Sequence, residues 1–203
     1  ILHPGKEEYQ DLLMRPHKDA ADLGAIVASV LNDVRLEGDK AVLRYEAMYD
    51  KVELLSLEVT DKEILEAESL VSEELKQSIK LAHDNIYRFH EAQRMQPVRV
   101  ETAPGVHCWQ KSVAIEKVGL YIPGGTAPLF STVLMLATPA RIAGCTDIVL
   151  CSPPSRDGKL HPAILYAAKI AGVNRIFKCG GVQAIGAMAY GTETVPKVSK
   201  IFG

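Results

Sequence analysis

Apolar residues recur at helical spacing through roughly the first hundred residues. Leu23, Ile26, Val27, Val30, Leu31 and Val34 fall on one helical stripe, and Gly38 follows as a stop. Asp39 can cap a second helix with Ala41, Val42, Tyr45 and Tyr49 as its apolar face. Ser56 to Val59 alternates as a short strand would, and Thr60 with Glu63 is a capping-box signature that opens another helix. A longer helix after Ser72 carries Leu75, Ile79, Ala82, Ile86 and Phe89 on one stripe. Around Pro97 the pattern changes. Val98 and Val100, a Pro104-Gly105 turn, then Val106, Cys108 and Gln110 predict a β-hairpin. His107 and Trp109 share its opposite face, where packing is the simpler role for Trp109 and stacking on a base or cation the alternative.

From Val118 onward strand and helix alternate. Strands are predicted at Val118–Ile122, Asp147–Cys151 and Arg175–Lys178, with a fourth beginning at Val198–Phe202. Helices fall between them: Thr132–Ala143, which Pro139 should kink or divide, then Pro162–Ala171, then Gln183–Tyr190. Parallel strands joined by single helices need crossover connections, so the pattern predicts a doubly wound, mostly parallel sheet. The expected architecture is α/β: a helix-rich part over 1–117 with a short hairpin, then a Rossmann-like sheet over 118–203 that is incomplete at its C-terminal end.

Composition narrows the function classes. A formal net charge of -2 on 203 residues gives no dominant positive field for nucleic acid or an anionic membrane surface. No window approaches the ~18 consecutive apolar residues of a membrane span. No basic segment followed by an apolar one opens the sequence, so no signal peptide is read. Ile1 is not Met, which leaves the natural start free to lie upstream. Cys108, Cys145, Cys151 and Cys179 are widely spaced without a CxxC pair, which suits reduced, buried, structural thiols of a cytoplasmic protein. His83 and His90 stand seven apart with no acidic or Cys companion in register, and read as solvated helix-surface residues.

Candidate chemistry lies in the loops at the carboxyl ends of the strands, where open parallel sheets bind ligands. Gly124-Gly125 follows the first strand and Gly180-Gly181 the third. Without Cβ, backbone can approach a phosphate or ribose, and the following helix offers free N–H groups. The GxGxxG dinucleotide fingerprint is absent from Tyr121-Ile122-Pro123-Gly124-Gly125-Thr126, so glycines chosen only for tight turns remain an equal alternative. Tyr121, at the end of its strand, can cover a flat group and donate from its hydroxyl. Gln183, at a helix start, can both donate and accept. Nucleotide recognition is one use of the pair; capping and packing are the other.

Longer runs carry a resemblance. Val118-Gly119-Leu120-Tyr121-Ile122-Pro123-Gly124-Gly125, the segments Ala127–Met135 and Ala137–Cys145, Cys179–Ile185 and Gly191–Val198 together closely resemble histidinol dehydrogenase. Leu13-Met14-Arg15-Pro16 and Gly38-Asp39-Lys40-Ala41 also look like that family. The resemblance implies two successive NAD-dependent oxidations, L-histidinol to histidinal to L-histidine, by a zinc-dependent cytoplasmic homodimer. It implies that Tyr121 and Gln183 contact NAD, with Pro123, Gly124 and Gly125 in the same loop. It also implies that the next cofactor contact is an asparagine in a Pro-Gly-Asn motif directly after Ile201-Phe202-Gly203, where this sequence stops. The zinc ligands, a Glu-His base pair and most substrate contacts are then expected further on, with no metal ligand or catalytic residue in this chain. An N-terminal portion of that kind is expected to lack dehydrogenase activity. The alternatives are a related dehydrogenase acting on a different amino alcohol or aldehyde, and a noncatalytic truncated paralogue.

Overall fold

The computed structural model describes residues 3–14, 21–125 and 127–203; Arg15 and Pro16 of the Leu13–Pro16 run lie outside the described residues. After a short exposed helix α1 (Tyr9–Leu13), α2 (Ala21–Glu37) ends at Gly38. The φ of 58° at Gly38 lets the chain turn directly into α3 (Asp39–Tyr45). Helix α3 passes into a π-helical turn, Glu46–Asp50, which Lys51 closes in the left-handed conformation. Helix α4 (Asp61–Leu70) begins with the expected capping box: Thr60 Oγ1 accepts from Glu63 N–H at 3.3 Å, and Glu63 Oε2 accepts from Thr60 N–H at 2.8 Å. Helix α5 (Glu73–Glu91) leads to the hairpin of β1 (Arg99–Ala103) and β2 (Val106–Trp109). Arg99 pairs with Trp109 and Val100 with Cys108.

Among the described residues the main sheet has four parallel strands: β3 (Lys117–Tyr121), β4 (Asp147–Ser152), β5 (Arg175–Lys178) and β6 (Lys200–Phe202). Helices α6 (Phe130–Ile142), α7 (Pro162–Ile170) and α8 (Gly181–Tyr190) connect them. The spatial order is β5-β4-β3-β6. Two consecutive crossovers therefore run one way from β3, and the third returns to its other side, which is the doubly wound Rossmann-like arrangement.

Strand period two assigns side chains to two layers. On one face Val118, Leu120, Ile148, Leu150 and Ile176 pack with α4, α5, α6 and α7 in a wholly apolar cluster. On the other, Val149, Cys151 and Phe177 meet α2, α3 and α8. Helices from before residue 118 thus cover both faces, and each core draws on both sides of that position. Ion pairs reinforce the join. Arg175 makes a two-pronged contact with Glu58 at 2.7 and 2.8 Å, and Lys178 donates to Glu63 at 3.0 Å.

Several local expectations need correction. Ser56–Val59 forms no strand: Glu58 makes one isolated antiparallel bridge to Phe177, and the segment covers the outer edge of β5. Pro139 lies inside a continuous α6, where the carbonyl of Met135, on an exposed residue, is the one left without an N–H. Helix α8 starts at Gly181, two residues before Gln183, because Gly181 takes a φ of 55° and Gly180 acts as N-cap. Cys145, Cys151 and Cys179 are buried, but Cys108 is exposed, and Trp109 is 70% exposed rather than packed. Every residue of β1 and β2 is exposed, so neither face of the hairpin finds a partner among the described residues. Leu23 and Ile26 are likewise more than half exposed; only Val30 and Val34 of their stripe enter the core.

Candidate functional site

The return from β5 to β6 puts a topological switch point between the carboxyl ends of β3 and β6. A cleft of about 880 Å³ opens beside that point, over the carboxyl ends of β3, β4 and β5. That is within the ~300–1,000 Å³ of ordinary small-molecule sites. Tyr121 and the loop Pro123-Gly124-Gly125 form one side, Pro153 after β4 the middle, and Gly181 and Gln183 the other side. Leu23 and Ile26 of α2 line the same space, which explains an apolar stripe half outside the core. All five sequence-derived candidates, Tyr121, Pro123, Gly124, Gly125 and Gln183, therefore meet at one cleft.

The glycines divide into two kinds. A Cβ on Gly124 would lie 2.6 Å from Pro153 Cγ, and one on Gly180 2.6 Å from Pro153 Cβ. These two are needed so that the loops after β3 and β5 can close on Pro153. A Cβ on Gly125 would meet nothing within 4 Å. Its bare backbone borders open space, where a ligand can approach closely.

At the floor, Tyr121 accepts from Gly181 N–H at 3.0 Å through its hydroxyl oxygen, leaving the phenolic proton available. Burial raises the Tyr121 pKa, the Gly181 hydrogen bond opposes the rise, and the Asp50 charge adds to it, so the hydroxyl stays a donor. Gln183 is 1% exposed. Its Nε2 donates to Glu46 Oε1 at 2.9 Å, and Gly180 N–H donates to the same oxygen at 2.9 Å. Glu46 Oε2 and Gln183 Oε1 are both buried without a partner. Burial pushes the Glu46 carboxyl up to about 7; the hydrogen bonds from Gln183 and Gly180 oppose this, and the nearby Asp50 charge adds to it.

Sequence reading missed Glu46, Asp50 and Pro153. Glu46 had a signal: it stands four residues after Val42, on the face expected to be apolar. Asp50 lines the cleft by way of the π turn, which periodicity does not reveal. Cys108 and Cys145 are not among the cleft-lining residues, and burial raises the Cys145 thiol. Among the described residues no group of three or more His, Cys, Asp or Glu is placed to hold a metal ion. No described helix is long and apolar enough to cross a membrane.

Fold and cleft together define a doubly wound α/β protein with a cleft of small-molecule size over the carboxyl ends of its parallel strands. Comparison with known proteins makes this specific. The model of the family described as histidinol dehydrogenase matches residues 13–203, and the chain belongs to that family. It is 63% identical over 203 residues to the histidinol dehydrogenase of Bacteroides thetaiotaomicron, covering 100% of this chain and 47% of that protein. Against the Salmonella typhimurium enzyme it is 53% identical over 198 residues, 97% of this chain and 45% of the other. A crystal structure of histidinol dehydrogenase from Elizabethkingia anophelis superposes with a TM-score of 0.93 at 49% identity, over 98% of this chain and 46% of that one. The chain spans about half the length of the relatives it matches.

Proposed function

We propose that this chain is the N-terminal portion of an NAD-dependent histidinol dehydrogenase, and that the cleft over the carboxyl ends of β3, β4 and β5 holds part of the NAD. The observation that carries this reading is the convergence of Tyr121, Pro123, Gly124, Gly125 and Gln183 on one cleft, in a chain of this family. The polar atoms fit such a ligand. Gln183 Oε1 is a buried acceptor without a partner, and Tyr121, which lines the same cleft, offers a hydroxyl donor. Donor and acceptor together complement a ribose diol or a carboxamide. Gly125 leaves backbone open to a bulky group, and the first N–H groups of α8 favour an anionic one.

NAD, when bound, supplies the hydride acceptor. In this reading Tyr121 and Gln183 fix its orientation, while Leu23 and Ile26 exclude water from one wall. The zinc ion has no fitting donor set among the described residues, and no step is assigned to it. The substrate L-histidinol, the homodimer and the cytoplasmic location belong to the whole protein and are proposed on family membership. Without a positioned base, this chain alone is expected not to oxidise histidinol; NADH formation followed by absorbance checks that, and turnover by the purified chain would refute it.

Calorimetric titration of NAD into the chain tests the cleft assignment. Gln183→Ala should weaken binding about tenfold, the equivalent of one hydrogen bond to a buried group. Equal affinity of the variant and the parent, with unchanged circular dichroism, would remove Gln183 from the site.

A further inference from the structure

Gln183 can present either end of its amide to the cleft, and something must decide which. Gly180 N–H and Gln183 Nε2 both donate to Glu46 Oε1 at 2.9 Å. That contact turns the amide nitrogen toward Glu46. The amide oxygen is turned toward Gly181, a cleft-lining residue: a Cβ there would sit 2.8 Å from Gln183 Oε1 and 3.4 Å from Nε2. Glu46 is fully buried, and its Oε2 is the other polar atom of this pair without a partner.

We infer that Glu46 is a positioning residue for the cleft: its carboxylate holds Gln183 with the carbonyl oxygen free for the ligand, and its protonated form withdraws that oxygen. The inference rests on the reading of the cleft as an NAD site. The two unpartnered atoms explain the switch. An ionised Glu46 has only acceptors to offer, so Gln183 Oε1 stays without a partner in the protein. A proton on Oε2 makes it a donor, and the acid can then pair with the amide through two hydrogen bonds. Acid and amide satisfy each other, and the ligand loses its acceptor.

The surroundings favour a proton within the neutral range. Asp50, from the same π turn, adds negative charge beside Glu46. Tyr121 on β3 and Cys179 after β5 both sense the Glu46 charge, and Cys179 is further coupled to Cys151 on β4 and to Asp39 at the start of α3. No cation is among these groups. With burial added, the carboxyl is held at about 7.

Two measurements on the intact chain test this. In the first, NAD is titrated by calorimetry between about pH 6 and pH 8.5. The parent should bind about tenfold more tightly at the upper end, the worth of one recovered hydrogen bond. Glu46→Gln presents an amide in place of the protonated acid. It should bind with the weak low-pH affinity of the parent at every pH. A purely structural role would change stability and leave the slope intact, so a Glu46→Gln chain with parental affinity or parental pH dependence overturns the inference. The second measurement needs no Glu46 variant. The Gln183 side-chain amide, identified by its loss in Gln183→Ala, is followed by nuclear magnetic resonance without ligand. Its signals should move with a midpoint near neutral pH; an amide indifferent to pH from 6 to 8.5 also overturns the inference. A titrating amide in a chain that binds no NAD at any pH instead sinks the cofactor reading and leaves the Glu46–Gln183 coupling standing.

Discussion

The two faces of the sheet are built to different standards. The face under α4 to α7 packs as an apolar cluster, with Leu120, Ile148 and Leu150 at 1% exposure or less; the buried polar side chains of its strands, Ser152 and Lys178, sit at the strand ends, and Lys178 is paired with Glu63. The face under α2, α3 and α8 buries Glu46 and Gln183 completely or nearly so, and carries the cysteine pair Cys151 and Cys179. Beside the cleft, Glu46 Oε2 and Gln183 Oε1 are buried and unpaired. One layer holds the sheet together; the other carries polar machinery next to the cleft. Natural folds break packing rules mainly where they work: α6 leaves one hydroxyl, Thr138 Oγ1, unpaired, whereas beside the cleft a buried acid and the buried amide it holds each leave an oxygen unpaired.

The largest effect is expected on the apolar face. Leu150→Ala removes a side chain with no exposure from the middle of β4 and should destabilise the chain by about 2–5 kcal/mol. Urea denaturation measures this. The folded variant should keep its NAD affinity within about twofold, since Leu150 points away from the cleft layer. A large loss of affinity with small loss of stability would erase the division between the faces.

On the polar face, pH should take the place of side-chain volume. Folding raises the Glu46 carboxyl from an ordinary 4.5 to about 7, so the native state binds this proton more tightly than the unfolded chain. Stability is then full at low pH, falls as pH rises from about 4.5 through 7, and levels off above. Between about pH 5.5 and 8 the loss should be roughly 2 kcal/mol, at 1.36 kcal/mol per unit of pKa. Carboxylates lowered by partners, such as Glu58 with Arg175 and Glu63, whose hydrogen bonds from Thr60 N–H and Lys178 outweigh its burial, titrate below this window and do not obscure it. Glu46→Gln should abolish the slope in urea titrations at the two pH values. A parental slope in that variant would assign the titration elsewhere.

Gly181 sharpens the same comparison with a smaller change. Its φ is 55°, and a Cβ there would press on Gln183 Oε1 at 2.8 Å. Gly181→Ala should cost about 1–2 kcal/mol through the left-handed backbone, seen as a lowered thermal midpoint. It should also weaken NAD binding, because the displaced atom is the acceptor that the ligand needs. Reduced stability with full affinity would mean that Gln183 Oε1 does not meet the ligand.

Much of this was legible in the sequence, for identifiable reasons. Strand–helix alternation after Val118 gave the doubly wound sheet, and the capping box at Thr60 marked the start of α4 to the residue. Tyr121 and Gln183 could be paired because both lie at carboxyl ends of strands, and parallel topology brings such ends to one rim. Glu46 was not read, since its meaning depends on the π turn and on Gly180, 134 residues away. The difference between Gly124 and Gly125 also needed three dimensions: only the position of Pro153 shows that one is required by packing and the other is open. Leu23 and Ile26 had a correct period, but periodicity does not distinguish a core from a cleft wall.

The hairpin supplies the zero of this scale, because it belongs to neither layer. Every residue of β1 and β2 is exposed, and Trp109, the one tryptophan of the chain, is 70% exposed. Trp109→Ser should therefore change stability by no more than about 0.5 kcal/mol, measured by circular dichroism in urea. The same geometry predicts that Trp109 emission in the folded chain already resembles that of free tryptophan, so unfolding should shift its wavelength little. If the emission instead moves strongly on unfolding, or the serine variant is destabilised by more than about 1 kcal/mol, the hairpin is folded onto one of the layers. The sheet would then have a third contributor to its packing, and the contrast between its two faces would have to be drawn again with β1 and β2 assigned to one of them.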